Sequence, residues 1–268
     1  MRTRFLGSTI LTACLVLAGT ASLLAQAPYR APRTKDGKPN FNGVWQAINE
    51  ANWDIEPHSA APGPFWQLGA AHAVSPGLGI VEGGSIPYKP EALAKKKENF
   101  ANRMTQDPEV RCYLPGVPRA MYMPYPFQVI QSTDHIMMVF GFAGALRTVY
   151  MKDHQEAPAD SWMGWSNGKW EGETLVIDTK GFNDLSWFDR AGNFHSEAMH
   201  VVERITATGP DHLNYEATIE DPNVFARPWK ISMPLYRRKE RNAQVLEFKC
   251  VEFSEDVIYG HLRKVPIK

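Results

Sequence analysis

The sequence predicts an all-β protein in which an antiparallel meander closes on itself as a barrel. Three observations carry that prediction. From residue 127 onward, short segments rich in β-branched and aromatic residues follow one another closely; turn-forming residues separate most of them; and no helical pattern of ten to fifteen residues intervenes, which disfavours a parallel α/β sheet.

The chain opens with Arg2 and Arg4 before an apolar, small-residue stretch over 5–24, and Ala25-Gln26-Ala27 supplies the small residues of a cleavage site. Residues 1–27 therefore read as a signal peptide, which predicts a periplasmic or secreted bacterial protein with no membrane span in the mature chain. Two alternatives stand beside it. A spanning anchor is opposed by Gly7, Ser8, Thr9, Thr12, Gly19, Thr20 and Ser22, which interrupt the run. Leu11-Thr12-Ala13-Cys14 resembles a lipoprotein box, but Cys14 lies midway through the apolar stretch. Removal of Cys14 leaves Cys112 and Cys250, and an oxidising compartment favours their pairing as a disulfide over two buried free thiols.

Setting aside Arg2 and Arg4, 29 basic and 29 acidic residues become 27 against 29, a formal charge of −2 before histidine. With no long basic stripe, nucleic acid is not an expected partner. The run Arg237, Arg238, Lys239, Glu240, Arg241 reads as a solvated turn between two strands.

Residues 28–126 read as an irregular wrapping segment belonging to the same domain as the barrel. One strand is expected at Gly43-Val44-Trp45-Gln46, after the turn-like Asp36-Gly37-Lys38-Pro39-Asn40, and could close the barrel. A helix is expected from Pro90 to about Met104, with Leu93, Phe100 and Met104 on its apolar side. Residues 62–88 read as a long loop, of the kind that often forms a lid or a disordered tip. The barrel occupies 127–268, with strands expected over 127–132, 135–142, 145–151, 162–170, 174–179, 198–208, 212–219, 226–236 and 245–252. A two-sheet sandwich with a dry interior is the alternative architecture.

Gly43-Val44-Trp45 resembles the Gly-x-Trp feature at the first strand of lipocalins, implying a lipocalin- or calycin-like barrel around a pocket for one small molecule. Longer segments resemble a large, mostly uncharacterised family of secreted bacterial proteins. They are Asp36-Gly37-Lys38-Pro39 with Asn42-Gly43-Val44-Trp45; Cys112-Tyr113-Leu114-Pro115-Gly116-Val117-Pro118-Arg119; Pro124-Tyr125-Pro126-Phe127-Gln128; and the run from Trp162 through His195-Ser196-Glu197 to His200-Val201-Val202-Glu203-Arg204. The resemblance implies that Cys112 and Cys250 recur together, and it brings no established reaction. Relatives carry histidine where this chain has Trp165, so a role at that position does not transfer, and the stretch around His154 departs from the family pattern.

Candidate chemistry concentrates in residues 162–204. Asp189 and His195, in the loop between two strands, are the expected acid/base pair, supported by Glu197 and His200. The spacing of five between His195 and His200 places them on opposite faces of a strand, so one metal is not held by both from a regular element, and no metal or other cofactor is expected. A metal-dependent enzyme using His195 and His200 with a third ligand stays as an alternative. Trp162, Trp165 and Trp187, with Tyr125 and Phe127, either pack the core or line a pocket for an aromatic ligand; Arg147 and Tyr150 either bind a ligand or satisfy a sheet face.

No glycine-rich nucleotide loop, phosphate-binding loop or His-Glu-x-x-His occurs. The reading that follows is an exported barrel that binds a hydrophobic or aromatic small molecule and performs cofactor-independent acid/base chemistry as a lyase or isomerase. A non-catalytic periplasmic carrier is the alternative. The sequence does not define the oligomeric state.

Overall fold

The computed structural model describes residues 29–263; the expected signal peptide, 1–27, lies outside the described residues, as do residues 264–268. Nine strands form a closed barrel in sequence order: β1 (Gly43–Gln46), β2 (Phe127–Gln131), β3 (His135–Phe140), β4 (Leu146–Tyr150), β5 (Trp165–Glu171), β6 (Thr174–Lys180), β7 (His200–Gly209), β8 (His212–Glu220) and β9 (Trp229–Arg237). The lipocalin-like all-β expectation holds, with two differences. The pairing of β4 with β5, through Val149 opposite Ser166 and Tyr150 opposite Asn167, is parallel, so the sheet is mixed. Residues 245–252 form no strand, and the ninth position is filled by β1 between β2 and β9. Position nine was therefore taken by the closing candidate upstream, which left the C-terminal apolar residues without an edge to join.

Strict alternation builds the long strands. On β7, Val201, Glu203, Ile205 and Ala207 are buried; on β8, Leu213, Tyr215, Ala217 and Ile219; on β9, Trp229, Ile231, Met233 and Leu235. A period of two sends these residues inward and their neighbours toward solvent. Phe127 and Val129 of β2 with Ile136, Met138 and Phe140 of β3 complete much of the apolar filling.

One polar network lies inside. Arg147 donates from Nε to Ser166 Oγ at 2.9 Å, from Nη1 to Glu203 Oε1 at 2.9 Å and from Nη2 to Thr179 Oγ1 at 2.8 Å, with a further Nη2 contact to Glu203 Oε2. Tyr215 donates its hydroxyl to Glu203 Oε1 at 2.8 Å. Both carboxylate oxygens thus have partners, as a buried ion pair requires.

The wrapping segment carries three helices with the C-terminal tail: α1 (Pro90–Ala101), α2 (Arg103–Gln106) and α3 (Ser254–Tyr259). The expected helix over 90–104 is broken at Asn102, and it turns a different face inward: Ala92 and Asn99 are buried, while Leu93 and Phe100 are 41% and 48% exposed. Asn99 is drawn in because its amide donates to the Gly192 carbonyl at 3.2 Å, so a hydrogen bond, not the apolar stripe, sets the rotation. The expected long loop is folded back on itself by bridges between His58 and Gly77 and between Ala61 and Val74, around a 3₁₀ turn at Trp66–His72. Cys112 and Cys250 form a disulfide, which ties the wrapping segment to the irregular tail and not to a last strand. Arg237 is no solvated turn residue: its guanidinium stacks on the Trp45 ring at 4.2 Å.

Glu203→Gln is expected to lower the free energy of unfolding by roughly 3–5 kcal/mol, because it strands the Arg147 charge in the interior, whereas Arg147→Met combined with Glu203→Leu recovers most of the loss. Urea denaturation of the oxidised protein measures both.

Candidate functional site

The loop over 181–199, between β6 and β7, is where the sequence concentrates acid/base groups, and its middle, from Ser186 to His195, is largely interior. Ser186, Phe188, Asp189, Asn193 and His195 are buried. Loops carry backbone groups that need partners when water is excluded. Here the wrapping segment supplies them. Tyr122 donates its hydroxyl to the Phe188 carbonyl at 2.8 Å, Arg190 N–H donates to the Asn52 carbonyl at 2.9 Å, and Tyr88 donates to Asn193 Oδ1 at 3.0 Å. Gly192, at φ +84°, lies so close to α1 that a Cβ would meet Phe100 N at 2.7 Å and Lys96 O at 2.8 Å.

Asp189 organises this loop. Its Oδ1 accepts the N–H groups of Ala191 at 3.0 Å and Asn193 at 3.2 Å; its Oδ2 accepts Ile55 N–H at 2.9 Å and the Asn193 amide at 2.6 Å. Complete burial, then the nearby Asp54 carboxylate, push its pKa up to about 7, against the pull of the Ile55 and Asn193 donors and of Arg119. Burial likewise raises Asp54. Two carboxyl groups displaced upward in one neighbourhood are a pattern common at functional sites.

Asp189 and His195 do not meet. His195 Nδ1–H donates to the Ser196 carbonyl at 2.9 Å, which leaves Nε2 to accept the Ser186 hydroxyl at 2.7 Å. Burial lowers its pKa, so the ring is held neutral, packed by Phe182 and Phe188 at 5.9 and 5.6 Å. Ser196 is fixed in turn by Asp221, which accepts its N–H at 2.6 Å and its hydroxyl at 2.9 Å. A hydroxyl bonded to an oriented neutral imidazole has the layout of a nucleophile and base, and here both residues are buried.

The other expected site residues are dispersed. His200 stands on the outer wall between Asp178, 3.0 Å from Nε2, and Glu220, 3.7 Å from Nδ1. His195 and His200 thus occupy separate surroundings, and among the described residues no group of three or more His, Cys, Asp or Glu is arranged to hold a metal ion. Glu197 is exposed. Phe127 lies within the barrel filling beside Phe140 at 5.3 Å, and Arg147 is consumed by Glu203. Tyr150 and Trp165 stack at 4.5 Å on the outer wall, beside a polar cleft of about 270 Å³ with Asp134, His135 and Lys152. Trp162 packs on Tyr113 at 5.1 Å, and Trp187 is buried within the loop.

Three clefts bring together residues that, Tyr125 apart, the sequence did not single out as site residues. One, of about 170 Å³, adjoins the Asp189 loop and is lined by Trp53, Asp54, His58, Phe100, Arg103 and Arg190, among others. Another pair lies under the C-terminal tail. The first, about 360 Å³, includes Val44, Tyr125, Pro126, Leu246 and Phe248; the second, about 310 Å³, includes Tyr125, Phe142, Arg190, Phe248, Lys249 and Glu255. Tyr125, Phe142 and Phe248 form a mutual ring cluster with centroids 5.0 to 5.7 Å apart. Of the sequence candidates, only Tyr125 lines these tail clefts.

Fold and clefts define a closed, mixed nine-stranded β-barrel with an architecture compatible with small-molecule binding. No protein-family model matches the chain, and no curated protein matches it. Among the described residues no helix is long and apolar enough to cross a membrane.

The four donors around Asp189 predict that Asp189→Asn costs about 1–3 kcal/mol, since an amide nitrogen would face other N–H groups. The sign of its pH dependence follows from the raised pKa. The native state binds the proton more tightly than the unfolded chain, so the contribution of Asp189 to stability declines as pH rises from about 4 to about 7 and is flat above. The cost of Asp189→Asn should therefore be larger at pH 5 than at pH 8 in paired urea titrations.

Proposed function

We propose that this is an exported small-molecule-binding protein that holds a hydrophobic or aromatic ligand between one end of the barrel and its C-terminal tail. The observation that carries this reading is the pair of clefts sharing Tyr125 and Phe248, whose volumes of about 360 and 310 Å³ lie in the usual range of ligand sites. Lining by Val44, Pro126, Leu246 and Phe248 suits an apolar body. The polar groups Arg190, Lys249 and Glu255 in the adjoining cleft suit a polar end.

The disulfide supports both parts of the proposal. Cys250 stands two residues from Phe248 and pins the tail that roofs the clefts to Cys112. Such bridges persist in oxidising compartments, which agrees with the leader-like residues 1–27.

A second reading, a cofactor-independent lyase or isomerase, is favoured by Asp189 and Asp54, two displaced carboxyl groups beside the 170 Å³ cleft. In that reading Asp54, which lines the cleft, meets the ligand, while buried Asp189 tunes it. His195 then has no direct part, because its two ring nitrogens are committed to Ser186 and Ser196.

Titration with the fluorescent amine N-phenyl-1-naphthylamine tests the binding site. Saturable binding is expected, with affinity reduced about tenfold or more in Tyr125→Ala and in Phe248→Ala and unchanged in Asp54→Asn. Equal affinity in the wild type and both ring variants would overturn the placement.

A further inference from the structure

We infer that the cleft walled by Trp53, Phe100 and Arg103 is a second, separate site, which takes a small aromatic carboxylate with its anionic group on Arg103. This inference does not rest on the tail clefts: the cleft shares Arg190 with the second of them and is otherwise lined by different residues.

Size comes first. The cleft encloses about 170 Å³ and is walled on its apolar side by Trp53, Pro62, Pro64, Val74 and Phe100. A cavity of roughly 150 Å³ accommodates a benzene ring. One ring and a short polar substituent therefore fill it.

Charge decides the substituent. Arg190 also lines the cleft, but its guanidinium is already neutralised: Nε lies 3.2 Å from Glu109, and Nη2 lies 2.6 Å from Glu255. It is also stacked on Trp53 at 4.4 Å. Arg103 differs. It stacks on Phe100 at 4.2 Å and donates Nη1 to the Phe100 carbonyl at 2.8 Å, yet it has no carboxylate partner among the described residues. Burial, followed by the like charge of Arg190, disfavours its cationic form, and Glu255 offsets this only in part. An under-neutralised guanidinium held still by an aromatic ring favours an incoming anion, and its planar fork matches a carboxylate. Asp54 lines the same cleft, where its Oδ1 accepts the Glu56 N–H at 2.9 Å, and among the described residues no ion pair within 4.0 Å joins it to Arg103. Its carboxyl group therefore does not fill the place of the missing anion.

Both faces of the cleft are pre-ordered. Trp53 is fixed by its backbone bond to Glu50, at 2.9 Å, and by the Arg190 stack; Arg103 opens α2, with one residue between it and α1, which is anchored by Asn99 to Gly192. Little side-chain ordering remains to be done on binding.

Isothermal titration calorimetry of the oxidised protein with benzoate, and with benzamide as its neutral isostere, tests the assignment. Benzoate is expected to bind about tenfold or more tightly than benzamide. Arg103→Met should abolish that preference, and Arg103→Lys, which keeps the charge without the fork, should retain part of it. Tyr125→Ala, in the other site, should leave benzoate binding unchanged, so failure here is separable from failure of the tail site. Thermal unfolding establishes that each variant is folded. Equal affinity for the two probes, no heat of binding to either, or an undiminished preference in folded Arg103→Met overturns the inference.

Discussion

The fold depends on a seam of four residues. β1 pairs with β2 through three residue positions and with β9 through only two, yet without it β2 and β9 would be open edges. Hydrogen bonds alone make a thin seam, and the side chains thicken it. Trp45 is buried and donates its indole N–H to the Phe41 carbonyl at 2.9 Å. Arg237 covers the ring and donates Nη1 to the Asn42 carbonyl at 2.8 Å; Arg238 reaches Gln46 Oε1 at 2.8 Å. A residue from the last strand thereby stacks on one from the first. Because β1 and β2 are adjacent in the barrel but far apart in sequence, residues 47–126 must run outside the wall.

That excursion is what brings the wrapping segment against the loop between β6 and β7. The outer segment and the loop over 181–199 satisfy each other: Asn52 and Ile55 meet Arg190 and Asp189, Tyr88 meets Asn193, and Tyr122 meets Phe188. A second buried cluster reinforces the contact. Arg119 donates to Asp107 at 2.9 Å, to Glu109 at 2.7 Å and to Asn52 Oδ1 at 2.9 Å, and Glu109 also holds Arg190. The segment Leu114-Pro115-Gly116-Val117-Pro118-Arg119 is therefore a structural connector: it delivers a fully neutralised cation to the junction of wrap and loop.

The sequence makes the barrel readable because alternation of buried and exposed residues is a local signal. Eight of the nine expected strands of the C-terminal part are present within a few residues, and Val44-Trp45 closes the ring. Alternation carries no direction, which is why the parallel β4–β5 pair was not legible. Nor does it separate a strand from an extended tail, hence the absence of one over 245–252. The site was less readable for a different reason. Asp189 and His195 are near in sequence, but the loop turns them into separate hydrogen-bond networks, one with Ile55 and Asn193 and the other with Ser186 and Ser196. Trp53, Asp54 and Arg103 lie in irregular or short elements with no periodicity, so their convergence depends on contacts more than forty residues apart.

The barrel interior is filled. Arg147, Glu203, Tyr215, Ser166 and Thr179 occupy the position a pocket would need, and their bonds are mutually satisfied. Opening that space would require breaking a buried ion pair without water to replace it, at a cost of several kcal/mol. The space outside the wall carries no such penalty. There the wrap and tail meet the barrel with imperfect complementarity, and the gaps inherit the character of the segments that form them. The tail contributes Leu246 and Phe248 and makes an apolar groove; the junction of α1 and α2 contributes Arg103, which has no carboxylate within 4.0 Å among the described residues, and makes a more polar one. Two kinds of cleft on one barrel follow from the same constraint: a ring closed by an early strand, with the intervening chain left to pack around it.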